Sequence, residues 1–291
     1  MRVAVIGSNG QVGTEIVVAA RRTGLDVIPL THAACEVTDP ASLDAVFRSL
    51  EAGDAVVNTA AFHRTDDCED DPERAMAVNA LGAYNVAAAA RRRGAVSVFL
   101  SSDFVFDGTK SAAYVESDTP RPINAYGVSK IAGEMLGAHA NPSHYVVRIS
   151  SVFGAAGASG KGGNFVETML AKARSGAPVD VVDDIVMAPT YAVDAASLLV
   201  ELLARRAPFG IYHLANAGEC SWSEFADAIF EEAGLPNRAR PVAAADMPAK
   251  ARRPRRSTLA SERLDALGLR TRPWREALDA YLIEKGHRTR A

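Results

Sequence analysis

The sequence predicts an α/β protein, a doubly wound parallel sheet followed by a smaller C-terminal α/β lobe. Two observations carry this. Short β-branched runs alternate with longer amphipathic segments up to about residue 150, a rhythm produced by parallel strands joined through right-handed helical crossovers. From Val152 onward the rhythm loosens into shorter elements and a stretch of small residues, 154–163, which marks a change of architecture.

The elements follow in order. Residues 3–6 read as a strand and 12–22 as a helix; 26–30 read as a strand and 40–50 as a helix with Asp39 as its N-cap. A third strand covers 55–58. Pro72 opens a long helix to residue 92, in the first turn, where a missing N–H costs nothing. A strand at 96–100, a helix at 125–138 and a strand at 145–149 complete the alternation. Beyond them 154–163 reads as a loop, 164–175, 191–204 and 222–233 as helices, and 179–182 and 211–214 as strands. Residues 241–256 are rich in Pro, Ala and Arg, and a last helix covers 274–284. One domain is expected over 1–150 and a lobe mainly apart from it over 151–291, with some elements of the lobe returning to the first sheet.

Composition excludes several function classes. Hydrophobic residues make up 48% and charged residues 23%, the balance of a globular chain with a substantial core. The formal charge of -3 leaves no basic field for displacing counterions from nucleic acid. No window reaches the roughly 18 apolar residues of a membrane span, and the apolar N-terminal run is cut at Gly7, too early for a signal peptide. Cys35, Cys68 and Cys220 are too few and too scattered for a disulfide framework or a zinc site. No metal is expected, and a reducing, cytoplasmic location is. Asp66, Asp67, Glu69, Asp70 and Asp71 precede Pro72, and Arg91, Arg92 and Arg93 end the same helix. Both runs are accounted for by charge complementing the helix dipole.

Gly7-Ser8-Asn9-Gly10-Gln11-Val12-Gly13 sets three glycines between the first strand and the first helix. Gly7 permits the tight turn, Gly10 lets the backbone approach a pyrophosphate, and Gly13 lets the helix lie close on the strand. The helix N-terminus then offers free N–H groups and the positive end of its dipole to phosphates. In this context the loop points to a dinucleotide and the sheet to a Rossmann-like one. The second strand ends Leu30-Thr31-His32, with no carboxylate to grip a ribose. That favours NADP(H), or use of both NADP(H) and NAD(H), over strict NAD. Glu36, a little further on, is placed to face the adenine or the ribose.

Tyr126-Gly127-Val128-Ser129-Lys130 puts Tyr and Lys four residues apart, on one helix face. A phenol with an ordinary pKa of about 10 is a poor acid–base group at neutral pH, and a neighbouring ammonium stabilises its phenolate. Lys130 is also placed to hold a nicotinamide ribose. Ser101 and Ser102 follow the strand at 96–100, where a hydroxyl can hydrogen-bond a carbonyl that Tyr126 protonates. Glycine loop, strand-end serine and Tyr-x-x-x-Lys, in that order, are far more specific together than singly.

These residues resemble the extended short-chain dehydrogenases, and within them the dTDP-4-dehydrorhamnose reductase family. Further stretches carry the likeness nearly end to end: Asn58-Thr59-Ala60-Ala61-Phe62, Leu100-Ser101-Ser102-Asp103-Phe104-Val105-Phe106-Asp107-Gly108, Arg148-Ile149-Ser150-Ser151-Val152-Phe153-Gly154, Ala188-Pro189-Thr190 and Trp274-Arg275-Glu276-Ala277-Leu278. The resemblance implies reduction of a keto group on a nucleotide-linked sugar, with a homodimer as the common assembly. Gly10, Gln11 and Val12 would touch the cofactor pyrophosphate, Glu36 and Val37 the adenosine, and Ala61, Phe62 and His63 would lie beside the cofactor at the third strand, with Ala60 just before them. Ser102 and Asp103 would meet the sugar, Tyr126 would donate the proton and Lys130 would assist it.

The pocket departs from the family pattern. Ser102 stands for the usual threonine and keeps the hydroxyl. Phe104 stands where Tyr is common, Ser151 where Trp is, and Ile185 where Gln is; His63 and Thr65 also differ. These positions face the sugar or its nucleotide in the family, so a keto-sugar related to the rhamnose precursor is expected. His63 reads either as a substrate contact or as a histidine bonded within its loop. Arg253, in Arg252-Arg253-Pro254-Arg255-Arg256, belongs either to a pyrophosphate grip or to a solvated charge run. Two alternatives to a reductase remain: a nucleotide-sugar 4-epimerase that recycles a bound cofactor, and a non-catalytic binding or regulatory subunit of the same fold.

Overall fold

A computed structural model describes residues 1–157 and 163–289. Residues 158–162, on which half of the expected small-residue loop falls, lie outside the described residues.

The chain opens with β1 (Arg2–Ile6), α1 (Gln11–Arg22), β2 (Asp26–Leu30), α2 (Pro40–Val46) and β3 (Ala55–Asn58). Two short helices, α3 (Thr65–Asp70) and α4 (Pro72–Ala75), lead through a π-helical segment (Met76–Leu81) into α5 (Gly82–Arg92). Next come β4 (Val96–Ser102), α6 (Ala125–Ala140) and β5 (His144–Ile149). The remainder comprises β6 (Val152–Phe153), α7 (Phe165–Arg174), β7 (Asp180–Val182), β8 (Val186–Met187), β9 (Thr190–Tyr191) and α8 (Ala192–Ala204). It ends with β10 (Gly210–His213), β11 (Cys220–Ser221), α9 (Trp222–Glu232), β12 (Arg240–Val242), α10 (Glu262–Ala266) and α11 (Trp274–Glu284).

Six strands form one parallel sheet in the order β10-β5-β4-β3-β1-β2. The register aligns their carboxyl ends: Ile6 pairs with both Leu30 and Asn58, Ser102 with Ile149, and His213 with Arg148. The winding reverses at β1, which has β2 on one side and β3 on the other, and this opens a crevice above the β1–β3 boundary. Strands β3 and β5 are buried at every position, as strands covered on both faces must be. Alternate residues of β1 supply the two layers. Val3 and Val5 meet Ile16 of α1 and Leu199 of α8, while Ala4 and Ile6 meet Leu43, Phe47 and Val86 on the opposite face. A second core, with Leu170 of α7, Phe225 and Phe230 of α9 and Tyr281 of α11, lies beside the sheet.

The structure differs from the sequence-based elements in four places. The expected helix at 40–50 ends at Val46, and a 3-10 turn at Phe47–Ser49 buries Phe47. The long helix at 72–92 is interrupted by the π-helical turn. The acidic stretch forms a helix of its own, α3, and only Asp71 caps the start of α4, accepting from the backbone N–H of Arg74 at 3.0 Å. The pairings β6–β9, β7–β12 and β8–β11 have two or three residues per strand; the strand expected at 179–182 is β7, and the others are too short for periodicity to reveal.

Helix α1 lies directly on the glycine turn: a β-carbon on Gly13 would fall 2.1 Å from the Gly7 carbonyl oxygen. Gly24 has φ +76° but open space around it. Gly13→Ala should therefore lower the unfolding free energy by about 1–3 kcal/mol through overpacking. Gly24→Ala should cost about 1–2 kcal/mol through its left-handed backbone alone. Urea unfolding measures both, and a displaced cofactor-loop geometry should accompany only the first.

Candidate active site

A cleft of about 940 Å³ opens at the carboxyl ends of the strands. Gly7, Asn9, Gly10, Gln11, Val12 and Gly13 line one end, Glu36, Val37, Ala60, Ala61, Phe62 and His63 the middle, and Ser102, Asp103, Tyr126, Lys130, Ser151 and Arg253 the other end. Residues spread over the whole sequence thus meet in one space. Of the predicted positions Thr31 stays off the wall; its carbonyl accepts from the N–H groups of Ala34 and Cys35, and this turn presents His32 instead. Ile185, a position expected to face the substrate, is buried and is not part of the cleft lining.

The glycine end is built by backbone. Gly7 takes φ +76°, and the N–H groups of Gly7 and Ser8 donate to the Leu30 carbonyl at 2.8 and 3.1 Å. No side chain caps α1 at Gly10, so its first-turn N–H groups face the cleft mouth as anion donors. Gln11 donates from Nε2 to the Val152 carbonyl at 2.8 Å, while its Oε1 is buried without a hydrogen-bond partner. Uncapped donors beside an orphaned acceptor fit a ligand that carries both phosphates and hydroxyls. At the next wall, His32 Nε2 lies 2.9 Å from Glu36 Oε2. Glu36 Oε1 accepts from the Thr38 N–H and hydroxyl at 2.9 and 2.8 Å, and the Thr38 backbone N–H leads in holding this carboxyl below its ordinary range. The strand-end reading lacked this charge because a turn, not the strand itself, delivers it.

At the other end, α6 seats the reactive groups. Asn124 caps it, accepting from the Gly127 N–H at 2.7 Å. A β-carbon on Gly127 would lie 2.1 Å from the Phe104 carbonyl oxygen, so the first turn of α6 rests on the 3-10 turn Asp103–Val105. The ring of Tyr126 meets Phe104 edge-on at 5.9 Å. Ser102 accepts from the Phe104 N–H at 3.2 Å and donates to Asp103 Oδ1 at 3.0 Å. Lys130 is 1% exposed; its ammonium donates to the Leu100 carbonyl at 2.6 Å and lies 4.2 Å from the Phe99 ring centre. Burial pulls Lys130 down to about 7, against the upward influence of Glu134. Burial likewise drives the Tyr126 phenol above its ordinary range, with a Ser102 hydrogen bond pulling down and Asp103 adding to the rise. Desolvation, not the ammonium four residues on, dominates Tyr126 here. The phenol therefore keeps its proton and stands as a donor.

Asp103 was expected to meet a sugar. It is 3% exposed, and its carboxylate accepts from the hydroxyls of Ser102, Ser150 and Ser257. It thus joins the end of β4, the end of β5 and the C-terminal segment. Burial lifts it to about 6 in spite of those three hydrogen bonds.

Asn79 was not legible as a site residue. It sits at 0% exposure in the π-helical segment. Its Oδ1 accepts from the Phe62 N–H at 2.8 Å, and its Nδ2 donates to the Phe62 carbonyl and the Ser129 hydroxyl, both at 2.9 Å. Ser129 in turn donates to the Tyr126 carbonyl at 2.7 Å. An Asn in an Ala- and Val-rich helix, which carries Asn85 as well, is a weak sequence signal, and π-helical turns recur at functional sites.

Arg253 faces the cleft with Nη2 3.4 Å from Asp66, which also accepts from the Ala251 N–H at 3.0 Å. Lys250 pairs with Asp70, and Asn124 donates to the Arg252 carbonyl at 2.8 Å. The acidic stretch therefore clasps the C-terminal segment. Arg256 turns away to Glu219. Ser151 lines the cleft with a left-handed φ of 43°, and His63 lines it half-buried. Among the described residues no group of three His, Cys, Asp or Glu is arranged to hold a metal, and no helix is long and apolar enough to cross a membrane.

Residues 1–286 match the RmlD substrate binding domain family. The chain is 38% identical over 284 residues to the spore coat polysaccharide biosynthesis protein SpsK of Bacillus subtilis, covering 98% of each. It is 39% identical to the dTDP-4-dehydrorhamnose reductase of Mycolicibacterium smegmatis, over 95% of this chain and 84% of that protein. The crystal structure of the dTDP-4-dehydrorhamnose reductase of Bacillus anthracis in complex with NADP superposes with a TM-score of 0.91 at 32% identity, covering 97% of this chain and 99% of that one.

The buried Asp103 carboxyl sets a sign for stability against pH. Its folded value of about 6 exceeds the ordinary 3.8, so the folded state binds the extra proton between these values. The charged form is disfavoured by folding. Stability from this group is greatest below about pH 4 and is lost as pH rises through 6, by on the order of 3 kcal/mol. Asp103→Asn should remove that slope: unfolding free energies of the two proteins, compared at pH 4 and 7, should shift in favour of the variant at the higher pH.

Proposed function

The chain belongs to the RmlD substrate binding domain family, and from that membership we propose that it is an NADP(H)- or NAD(H)-dependent reductase of a keto group on a nucleotide-linked deoxysugar of the dTDP-4-dehydrorhamnose type. The observation that carries this is the convergence of Ser102, Tyr126 and Lys130 at the carboxyl end of β4, in a cleft continuous with the uncapped N-terminus of α1. Three unpaired, buried cysteines, Cys35, Cys68 and Cys220, agree with a reducing cytoplasm. A homodimer agrees with the exposed apolar side chains Leu81, Tyr84, Val128 and Met135 on the π-helical segment, α5 and α6.

The residues present fit the dinucleotide. The α1 N-terminus and Gln11 would hold its pyrophosphate and neighbouring hydroxyls, Glu36 and Val37 its adenosine, and Lys130 the nicotinamide ribose. When bound in reduced form it supplies the hydride. Tyr126 donates its proton to the substrate oxygen as the carbonyl becomes an alcohol. Ser102 hydrogen-bonds the same oxygen, for which its hydroxyl must turn away from Asp103. Lys130, as an ammonium, stabilises the phenolate that Tyr126 leaves behind. Arg253, released from its long contact with Asp66, offers a fork to the sugar-nucleotide pyrophosphate. The side chains at 104, 151, 63 and 65 shape the sugar end, and they set which keto-sugar is taken.

Tyr126→Phe removes the proton donor and leaves the walls intact. It should lower turnover of a nucleotide-linked 4-keto sugar by about 10²–10⁴-fold while fluorescence titration shows unchanged NADPH binding. Full activity in that variant would sink the assignment. At the adenosine wall, the charged Glu36 accepts a 2′-hydroxyl and repels a 2′-phosphate. Glu36→Gln should therefore raise the ratio of NADPH to NADH affinity several-fold, and His32→Ala should lower it. Parallel binding titrations with the two dinucleotides measure both ratios.

A further inference from the structure

The face of α6 that carries Tyr126 and Lys130 continues, one turn on, to Glu134. Its carboxylate is 4% exposed and fully engaged. Arg148 grips it with two hydrogen bonds, Nε to Oε1 at 2.9 Å and Nη2 to Oε2 at 2.7 Å, and the Ser101 hydroxyl donates to Oε1. Arg148, 1% exposed, also turns Nη1 to within 3.4 Å of His213 Nε2. His213 Nδ1 lies 2.9 and 3.1 Å from the carbonyls of Ala260 and Tyr114, so Nδ1 carries the proton and Nε2 accepts from Arg148. Burial lowers His213 to about 4, which keeps it neutral. One satisfied polar chain therefore crosses β4, α6, β5 and β10 beneath the cleft.

A buried ion pair of this kind adds little net stability over packed apolar side chains. Glu134, Arg148 and His213 line no part of the cleft, so they touch neither substrate nor cofactor. Their consequence falls on Lys130. The groups that act on its ammonium are Glu134 from its own helix, the Cys68 thiol from α3, and the Leu100 carbonyl and Phe99 ring from β4. Asp103 acts on Tyr126. Burial pushes the Cys68 thiol up to about 11, which leaves Glu134 as the formal negative charge on Lys130 among these groups at neutral pH.

We propose that Glu134, gripped by Arg148 and Ser101, is a positioning residue that keeps Lys130 in its ammonium form one helical turn from Tyr126. This rests on the reductase reading for its catalytic meaning, but not for its test, which uses dinucleotide binding as well as turnover. Lys130 deprotonates as pH rises, so an alkaline limb is expected in NADPH affinity, followed by fluorescence, and in kcat/KM. Lys130→Met should abolish the limb in binding and so identifies it. In Glu134→Gln the limb should move to lower pH by about 1 unit, with kcat reduced more than KM, and Glu134→Asp should restore its position. If Glu134→Gln does not fold, the double variant Glu134→Gln/Arg148→Gln replaces the pair by amides and should displace the limb in the same direction but by less, because a positive charge leaves with the negative one. A limb that stays in place while affinity or turnover falls evenly at every pH would overturn the proposal and leave the pair a purely structural role. If the wild type reduces no keto-sugar yet the binding limb moves as stated, the functional reading fails and the role of Glu134 stands.

Discussion

Helix α6 lies so close to the segments around it that two of its residues can carry no side chain. A β-carbon on Gly127 would strike the Phe104 carbonyl, and one on Gly133 would fall 2.3 Å from the Asn79 carbonyl. These contacts fix the helix against the turn after β4 on one side and the π-helical segment on the other. Tyr126 and Lys130 are carried on this helix, and Ser102 stands on the strand that feeds the turn. Their mutual geometry is therefore set by backbone packing, which is stiffer than any arrangement of long side chains. Asn79 extends the same constraint to the loop after β3, since one amide holds Phe62 and Ser129 together.

Burial then decides the chemistry of these groups. Tyr126 is kept protonated and Lys130 is brought near neutrality by the same loss of water. Opposite consequences arise because the charged form is the base in one residue and the acid in the other. A carboxylate in such surroundings must be fully bonded to remain charged. Glu134 is bound by the Arg148 guanidinium and the Ser101 hydroxyl, whereas Asp103 has hydroxyls alone and is lifted to about 6 by its burial.

The C-terminal segment closes the cleft by charge rather than by an apolar face. Asp66 and Asp70 of α3 hold Ala251, Arg253 and Lys250, and Ser257 reaches Asp103. The acidic run does stand at helix starts, with Asp66 and Asp67 in the first turn of α3 and Asp71 capping α4, and it is also a clasp whose partners lie some 180 residues away. Arg253 makes the longest of these contacts, at 3.4 Å from Asp66.

The sequence alone determined the parallel alternation, the glycine turn and the Ser102, Tyr126 and Lys130 pattern, because each depends on residues within one element or on a fixed helical spacing. Only the tertiary structure decided where the cleft walls stand. It put Ile185 away from the cleft, bonded Asp103 to three serines, and placed β10 at the edge of the main sheet. Each of these outcomes depends on contacts between segments far apart in the chain. Local periodicity carries no record of such contacts, while burial and charge in the folded state follow directly from them.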